Sequence, residues 1–342
     1  MRKEKYLVNK MEEIIQEIFS ELIDTDGNAP IEKVMPLLLF RKIIEKIDAI
    51  NILYEQESGE PALSLSRSVI ENYWYFMFMI EKDTDFRSLS YYYYDKRNTA
   101  TKGLSELDYH IDGLQKYIKR REDNIQAFKM DIAFYNTQKN KCITHKGLSK
   151  ILKEIPHEMQ LILNTYDEYI EDYNNKINVV ESKVAEFKNQ INELQKNVSS
   201  AYSNKKKYQN TIQRLKKNSQ FIDVRIEIDN AKRQYKDMNI TWYTLRTGFS
   251  SIKQLSSSLN LVREYIPYSS LSQEVHSSNA SRQIIIEDEK ISLSSLRDKD
   301  GSGLALGIAT NFLSYSIQPF LVFYNKESYF EEISLKMNAY IK

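Results

Sequence analysis

Residues 61–83 read PALSLSRSVIENYWYFMFMIEKD, and a helix built from them has no polar face. Leu63, Leu65, Val69, Ile70, Tyr73, Trp74, Phe76, Met77, Phe78 and Ile80 are distributed all round its axis. Such a helix persists only where neighbours cover it, so the rest of the chain must supply that cover. Pro61 suits the first helical turn, where its missing N–H costs nothing. Set into this apolar rod are Arg67 and Glu71, four residues apart and therefore on one face. An unpaired charge there is too costly to keep. The pair is either a structural bridge or part of a site.

The whole chain has 342 residues, with nine Gly, six Pro, 42% hydrophobic and 28% charged residues. That composition describes a mainly helical protein long enough to bury a sizeable core. A formal net charge of +1 gives no whole-molecule attraction to nucleic acid or anionic lipid. The single Cys142 excludes an intrachain disulfide and a multi-cysteine zinc site, which fits a reducing, cytoplasmic setting. Residues 69–80, the most apolar run, are too short to span a bilayer and carry Glu71. No transmembrane segment and no membrane partner are expected.

Upstream, Leu7, Met11, Ile14, Ile15 and Ile18 fall at helical spacing, and a second helix over about 31–57 turns Leu37, Phe40, Ile43, Ile44, Ile47 and Ile50 inward. Downstream, FRSLSYYYYDKRN continues as helix with four consecutive tyrosines, Tyr91 to Tyr94. Beside Arg87, Lys96 and Arg97 these rings could stack on bases. Rings closing over a core, with hydroxyls at its rim, are the simpler reading. Residues 105–139 read as a polar helix, followed by a basic connector.

From His157 to Thr247 the chain has neither Gly nor Pro. Tyr173, Ile177, Val180, Val184, Phe187, Ile191, Leu194, Val198 and Ala201 alternate by four and three, the seam of a coiled coil. The polar run SSAYSNKKK follows and puts Lys205 in the seam before the phase resumes at Tyr208. A hairpin turning near residues 199–206, with arms of roughly 50 Å, is expected rather than one long helix. The predicted fold is therefore all-α. A multi-helix bundle is made by residues 1–156 and 241–342, with a coiled-coil hairpin inserted at 157–240. The alternation in RQIIIEDEKISLSSL adds one short β-hairpin.

His276 anchors the second candidate stretch. If residues 268–276 are helical, Tyr268, Ser272 and His276 share one stripe, suited to acid–base chemistry or phosphate binding. Ser269 or Ser270 is the expected N-cap, just after Pro267. The alternative is a histidine held by local hydrogen bonds at a helix edge. Asp298 to Gly303 imitates the first half of a calcium loop, but its twelfth position is Ala309. A turn leading into a helix fits better, and no metal or cofactor is expected.

Arg67-Ser68-Val69-Ile70-Glu71 forms an R-S-x-x-E helix, and residues 268–276 form Y-x-x-L-S-x-x-V-H. In these two motifs the chain resembles a large group of helical bacterial proteins catalogued as a domain of unknown function. The resemblance covers roughly 35–100 and 240–320, with the coiled segment between as a variable insertion. It implies a toxin-like or interaction role, often beside mobile elements and defence genes. The helical HEPN ribonucleases are an analogy of class only, because none of the four histidines follows an Arg at the spacing they require.

Two functions are expected from this reading. In the first, the chain is an intracellular effector of a bacterial stress or defence system, acting on RNA or a nucleotide. Arg67, Glu71 and His276 are its catalytic candidates, and Tyr268 and Ser272 position the ligand. In the second it is a non-catalytic scaffold or sensor. There the coiled arms mediate self-association, with a homodimer the simplest case, or bind a protein partner; nucleic acid remains an open partner class.

Overall fold

A computed structural model describes residues 3–149, 157–236, 238–261, 265–275, 284–287, 290–293 and 295–339. It is all-α but for one short hairpin. The chain divides into two compact units, residues 1–96 with 215–342, and residues 97–214.

In the first unit, α1 (Lys3–Leu22) packs on α2 (Ile31–Glu55), and α2 packs beside α3 (Gly59–Glu81), the helix of the opening stretch. Pro36 lies inside α2 and leaves the Glu32 carbonyl without its usual donor. The Ser88 hydroxyl supplies one at 3.3 Å. α3 buries Val69, Ile70, Trp74, Phe76 and Phe78, as its apolar circumference requires. α2 and α9 (Lys299–Phe323) are its two main partners, and α9 is a second helix buried to a similar degree.

Small residues let these two helices approach closely. Gly59, Ala62 and Ser66 are buried on α3 and Ser302, Ala305 and Ala309 on α9. A Cβ at Gly59 would meet Asp298 at the start of α9, and Ser66 Oγ donates to the Ala305 carbonyl at 3.1 Å. Phe40 of α2 stacks on Phe320 of α9 with ring centroids 3.8 Å apart. Among the described residues, α9 is the one helix long and apolar enough by length and composition to cross a membrane, and half of its most apolar window is buried.

Of the four tyrosines, Tyr93 is buried, and Tyr91, Tyr92 and Tyr94 are half-buried and packed against the core. Tyr92 and Tyr93 pack on Phe221, and Tyr91 meets Trp242 edge-on. α6 (Ile222–Gln234) and α7 (Ile252–Ser258) follow, then α8 (Tyr265–Val275), which crosses α3. α8 begins before Pro267, so Ser269 and Ser270 lie inside it rather than at its N-cap. Strands β1 (Ile284–Glu287) and β2 (Lys290–Leu293) pair antiparallel, Ile284 opposite Leu293, as the alternation predicted. Asp298 caps α9, its Oδ1 accepting from the Gly301 N–H at 2.8 Å. α10 (Ser328–Ala339) ends the described chain.

The second unit corrects the expected hairpin. α4 (Thr84–Ser149) and α5 (His157–Lys217) are each continuous, and residues 199–206 are helix rather than turn. The two helices pair with each other, so the arms are residues 97–149 and 157–214 instead of two halves of 157–240. Each arm is roughly 80 Å long at the usual helical rise. The partner of the 173–208 seam is the helix taken as merely polar. Leu104, Leu107, Ile111, Leu114, Ile118, Ile125, Phe128, Ile132 and Tyr135 keep the same alternation there.

The pairing is antiparallel. Phe128 meets Phe187 at 5.7 Å, Tyr135 meets Tyr173 at 6.2 Å, and His145 stacks on Tyr166 at 6.0 Å. The polar run stays helical because its seam positions are satisfied across the hairpin. Lys205 pairs with Asp108, and Gly103 makes room for the Tyr208 ring, which a Cβ there would meet at 2.6 Å.

Candidate functional site

Arg67 and Glu71 emerge from α3 on the face that α8 covers. Arg67 Nη2 donates to Tyr268 Oη at 2.9 Å, and Tyr268 Oη donates to Glu71 Oε1 at 2.6 Å. The direct distance from Arg67 Nη2 to Glu71 Oε1 is 3.7 Å, an ion pair too long for a hydrogen bond. The phenol therefore mediates between the two charges. Its ring packs on Trp74 at 5.0 Å and Tyr265 at 5.6 Å, which fixes where the hydroxyl can reach. The Arg67 guanidinium also lies 4.8 Å from the ring centroid, within cation–π range.

Burial differs among the three. Tyr268 is 6% exposed, while the side chains of Arg67 and Glu71 retain 18% and 31%. Burial, followed by the hydrogen bond to Glu71, pushes the Tyr268 hydroxyl up to about 12, and Arg67 opposes the shift. It remains a protonated donor at neutral pH. Tyr75, one turn beyond Glu71, is raised as well, first by burial and then by the Glu71 charge. The Arg67 Nε is buried without a hydrogen-bond partner.

Of the five residues expected to converge, the structure brings together Arg67, Glu71 and Tyr268. His276 and the side chain of Ser272 lie outside the described residues. The expected bridge between Arg67 and Glu71 is present, but it is routed through a tyrosine some two hundred residues away. Among the described residues, no group of three His, Cys, Asp or Glu side chains is arranged to hold a metal.

Sequence reading missed a second arginine. Arg87, noted in the sequence only as a cation beside the four tyrosines, is only 6% exposed. Its Nη1 donates to the Phe78 carbonyl in the last turn of α3 and to Glu81 Oε2, and its guanidinium stacks 3.6 Å from the centroid of the Phe78 ring. Burial lowers its pKa, against the pull of Glu81. The legible signal was a helix end whose last carbonyls need donors. Arg87 lines a cavity of about 210 Å³ with Lys82, Phe86 and Arg246. Arg246 pairs with Glu227 at 3.9 Å. Both guanidinium groups of this cavity are thus already balanced.

No curated protein matches the chain, and no solved structure matches it. A family of unknown function, DUF5677, matches residues 33–203, half of the chain. The match includes Arg67 and Glu71. It also includes much of the hairpin that had been read as a variable insertion, and it stops before the 240–320 stretch. The chain belongs to this family of unknown function, DUF5677.

Proposed function

We propose that this protein is a non-catalytic helical interaction protein. The hairpin of residues 97–214 supplies its recognising surface, and the Arg67–Tyr268–Glu71 network fastens α8 to α3. The observation supporting this reading is the closure of that network. Tyr268 Oη accepts from Arg67 and donates to Glu71, so groups that would serve a substrate are engaged with one another. A catalytic acid or base needs hydrogen-bond reach to the proton it moves, and the Tyr268 proton is already held by Glu71.

One observation favours a second reading, an effector of a bacterial stress or defence system acting on RNA or a nucleotide. The buried Arg67 Nε has no partner, and a free guanidinium N–H is a phosphate-binding group. In that reading Arg67, Glu71 and His276 carry the chemistry, with Tyr268 and Ser272 holding the ligand. Titrating ATP and a labelled single-stranded RNA against wild type, Arg67→Ala and His276→Ala, alongside thermal melts of Glu71→Gln, separates the two. No saturable binding, with an early melt of Glu71→Gln, supports the interaction reading. Saturable binding lost in both alanine variants at unchanged melting temperature overturns it in favour of the effector.

A further inference from the structure

The outer face of α4 carries a second seam. Away from the side that packs on α5, positions 109, 113, 116, 120, 123, 127, 130 and 134 again alternate by four and three. Four large apolar side chains on or beside this line face solvent: Tyr109 at 83% exposure, Met130 at 73%, Tyr117 at 58% and Phe134 at 56%. A two-helix hairpin needs one apolar seam per helix, and α4 has that seam on its other side. Among the described residues, the outer line therefore has no partner within its own unit.

We infer that this face binds the same face of a second copy of the chain, the two α4 helices running antiparallel about a twofold axis between residues 121 and 122. The argument is self-complementarity. In an isologous contact, residue i meets j while j meets i, so one register must satisfy every pair at once. Centred there, Tyr109 meets Phe134 and Gly113 meets Met130. An added Cβ at Gly113 would meet nothing within 4 Å, and the surface there opens into a cavity of about 410 Å³ between Tyr109 and Tyr117. Met130 thus faces a recess rather than a side chain.

Charges agree with the same register. Arg120 falls opposite Asp123 twice, once on each side of the axis. Lys116 falls opposite Ala127, and its ammonium is already paired with Asp112 on its own helix at 2.6 Å. On the flanks His110 faces Asp131, Tyr117 faces Asn124 and Lys119 faces Gln126, so no like charges meet. Apolar pairs at both ends and a charged centre define one register and one orientation, because parallel pairing would set Arg120 against Arg120. This deepens the interaction reading by naming the partner, and it is independent of the Arg67–Tyr268–Glu71 network.

The test is a charge exchange in the full-length protein, read by sedimentation equilibrium at tens of micromolar, with helicity and melting checked by circular dichroism. Wild type should be a dimer. Arg120→Asp alone and Asp123→Arg alone should each weaken it at least tenfold, since four like charges then meet at the axis. The double variant R120D/D123R should regain the dimer with the pair inverted. All these positions are exposed, so the melting of the monomer should hold. A monomeric wild type overturns the proposal. A dimer indifferent to both single changes shows association through another surface, and single changes that the double variant does not rescue rule out this register. None of these results bears on whether Arg67 binds a phosphate.

Discussion

Helix α3 around Trp74 and helix α4 around Ile125 bury apolar side chains in two different ways. Around α3, cover comes from α2, α7, α8 and α9 together with nearby segments, and Phe40, Trp74, Phe76 and Phe320 reach 0% exposure. Among the described residues of the hairpin each helix has a single partner. Its best-covered large seam residues, Ile111, Ile125, Ile177 and Val180, retain 5–9%. The first unit is a three-dimensional jigsaw in which one side chain touches several elements. The second is a zipper in which contacts are local along the axis. Truncation should therefore be costly and global in one, milder and confined in the other.

Phe320→Ala should show the largest effect. It removes a ring stacked on Phe40 and tilted against Phe76 and Tyr324, at a cost of about 3–5 kcal/mol, measured by denaturant unfolding. Ile125→Ala should cost about 2 kcal/mol, the low end for such a change, because a single neighbouring helix covers it. Hydrogen exchange should accelerate within residues 97–214 while α3 and α9 keep their protection. Equal acceleration in both units would break the distinction.

Tyr268→Phe probes the polar side of the same contrast. It deletes the donor to Glu71 and the acceptor for Arg67, and about 1–3 kcal/mol should be lost. A loss within error would show that α8 is held on α3 by its rings alone. Asn51 sharpens the packing argument from the other direction. Its amide Nδ2 and Oδ1 are both buried without partners, so Asn51→Leu should raise stability by about 1 kcal/mol. A lower melting temperature would reveal a partner for that amide.

The smallest effect is a pH dependence. The Tyr268 hydroxyl is raised in the folded state to about 12, against 10.0 when unfolded. The folded chain therefore holds this proton more tightly. Its contribution is complete below the unfolded value and is lost as pH rises from about 10 towards 12. Tyr75 and Tyr324 are raised as well, so the diagnostic is the difference between wild type and Tyr268→Phe, whose alkaline loss should be the smaller. Identical alkaline curves would remove Tyr268 from the account.

Much of this architecture was legible, and the errors have physical causes. Ten apolar residues around one short helix required a surrounding bundle, and the four-and-three alternation after residue 173 required a facing seam. The polar run at 199–206 suggested a turn because a lysine in a seam looks unsatisfied. Asp108 satisfies it from the other helix, ninety-seven residues earlier. The α4 seam was overlooked because charged and aromatic residues crowd its outer face and dilute the apolar signal. At the site, Arg67 and Glu71 announced a partnership by spacing alone. That Tyr268 closes it could not be read from spacing, since α8 reaches α3 only through the fold.

What the amino-acid order fixes here is periodic and local. Helix type, the apolar circumference of α3, the heptad phase of α5 and the β-hairpin alternation all follow from neighbours within a few turns. The tertiary structure alone decides which distant segments satisfy one another: α9 rather than another apolar helix against the small-residue face of α3, α4 against α5, and Tyr268 between Arg67 and Glu71. The physical reason is that burial is non-directional and accepts any apolar face of suitable size. A hydrogen bond about 3 Å long or a ring contact of a few ångströms exists only once long-range packing has placed both partners.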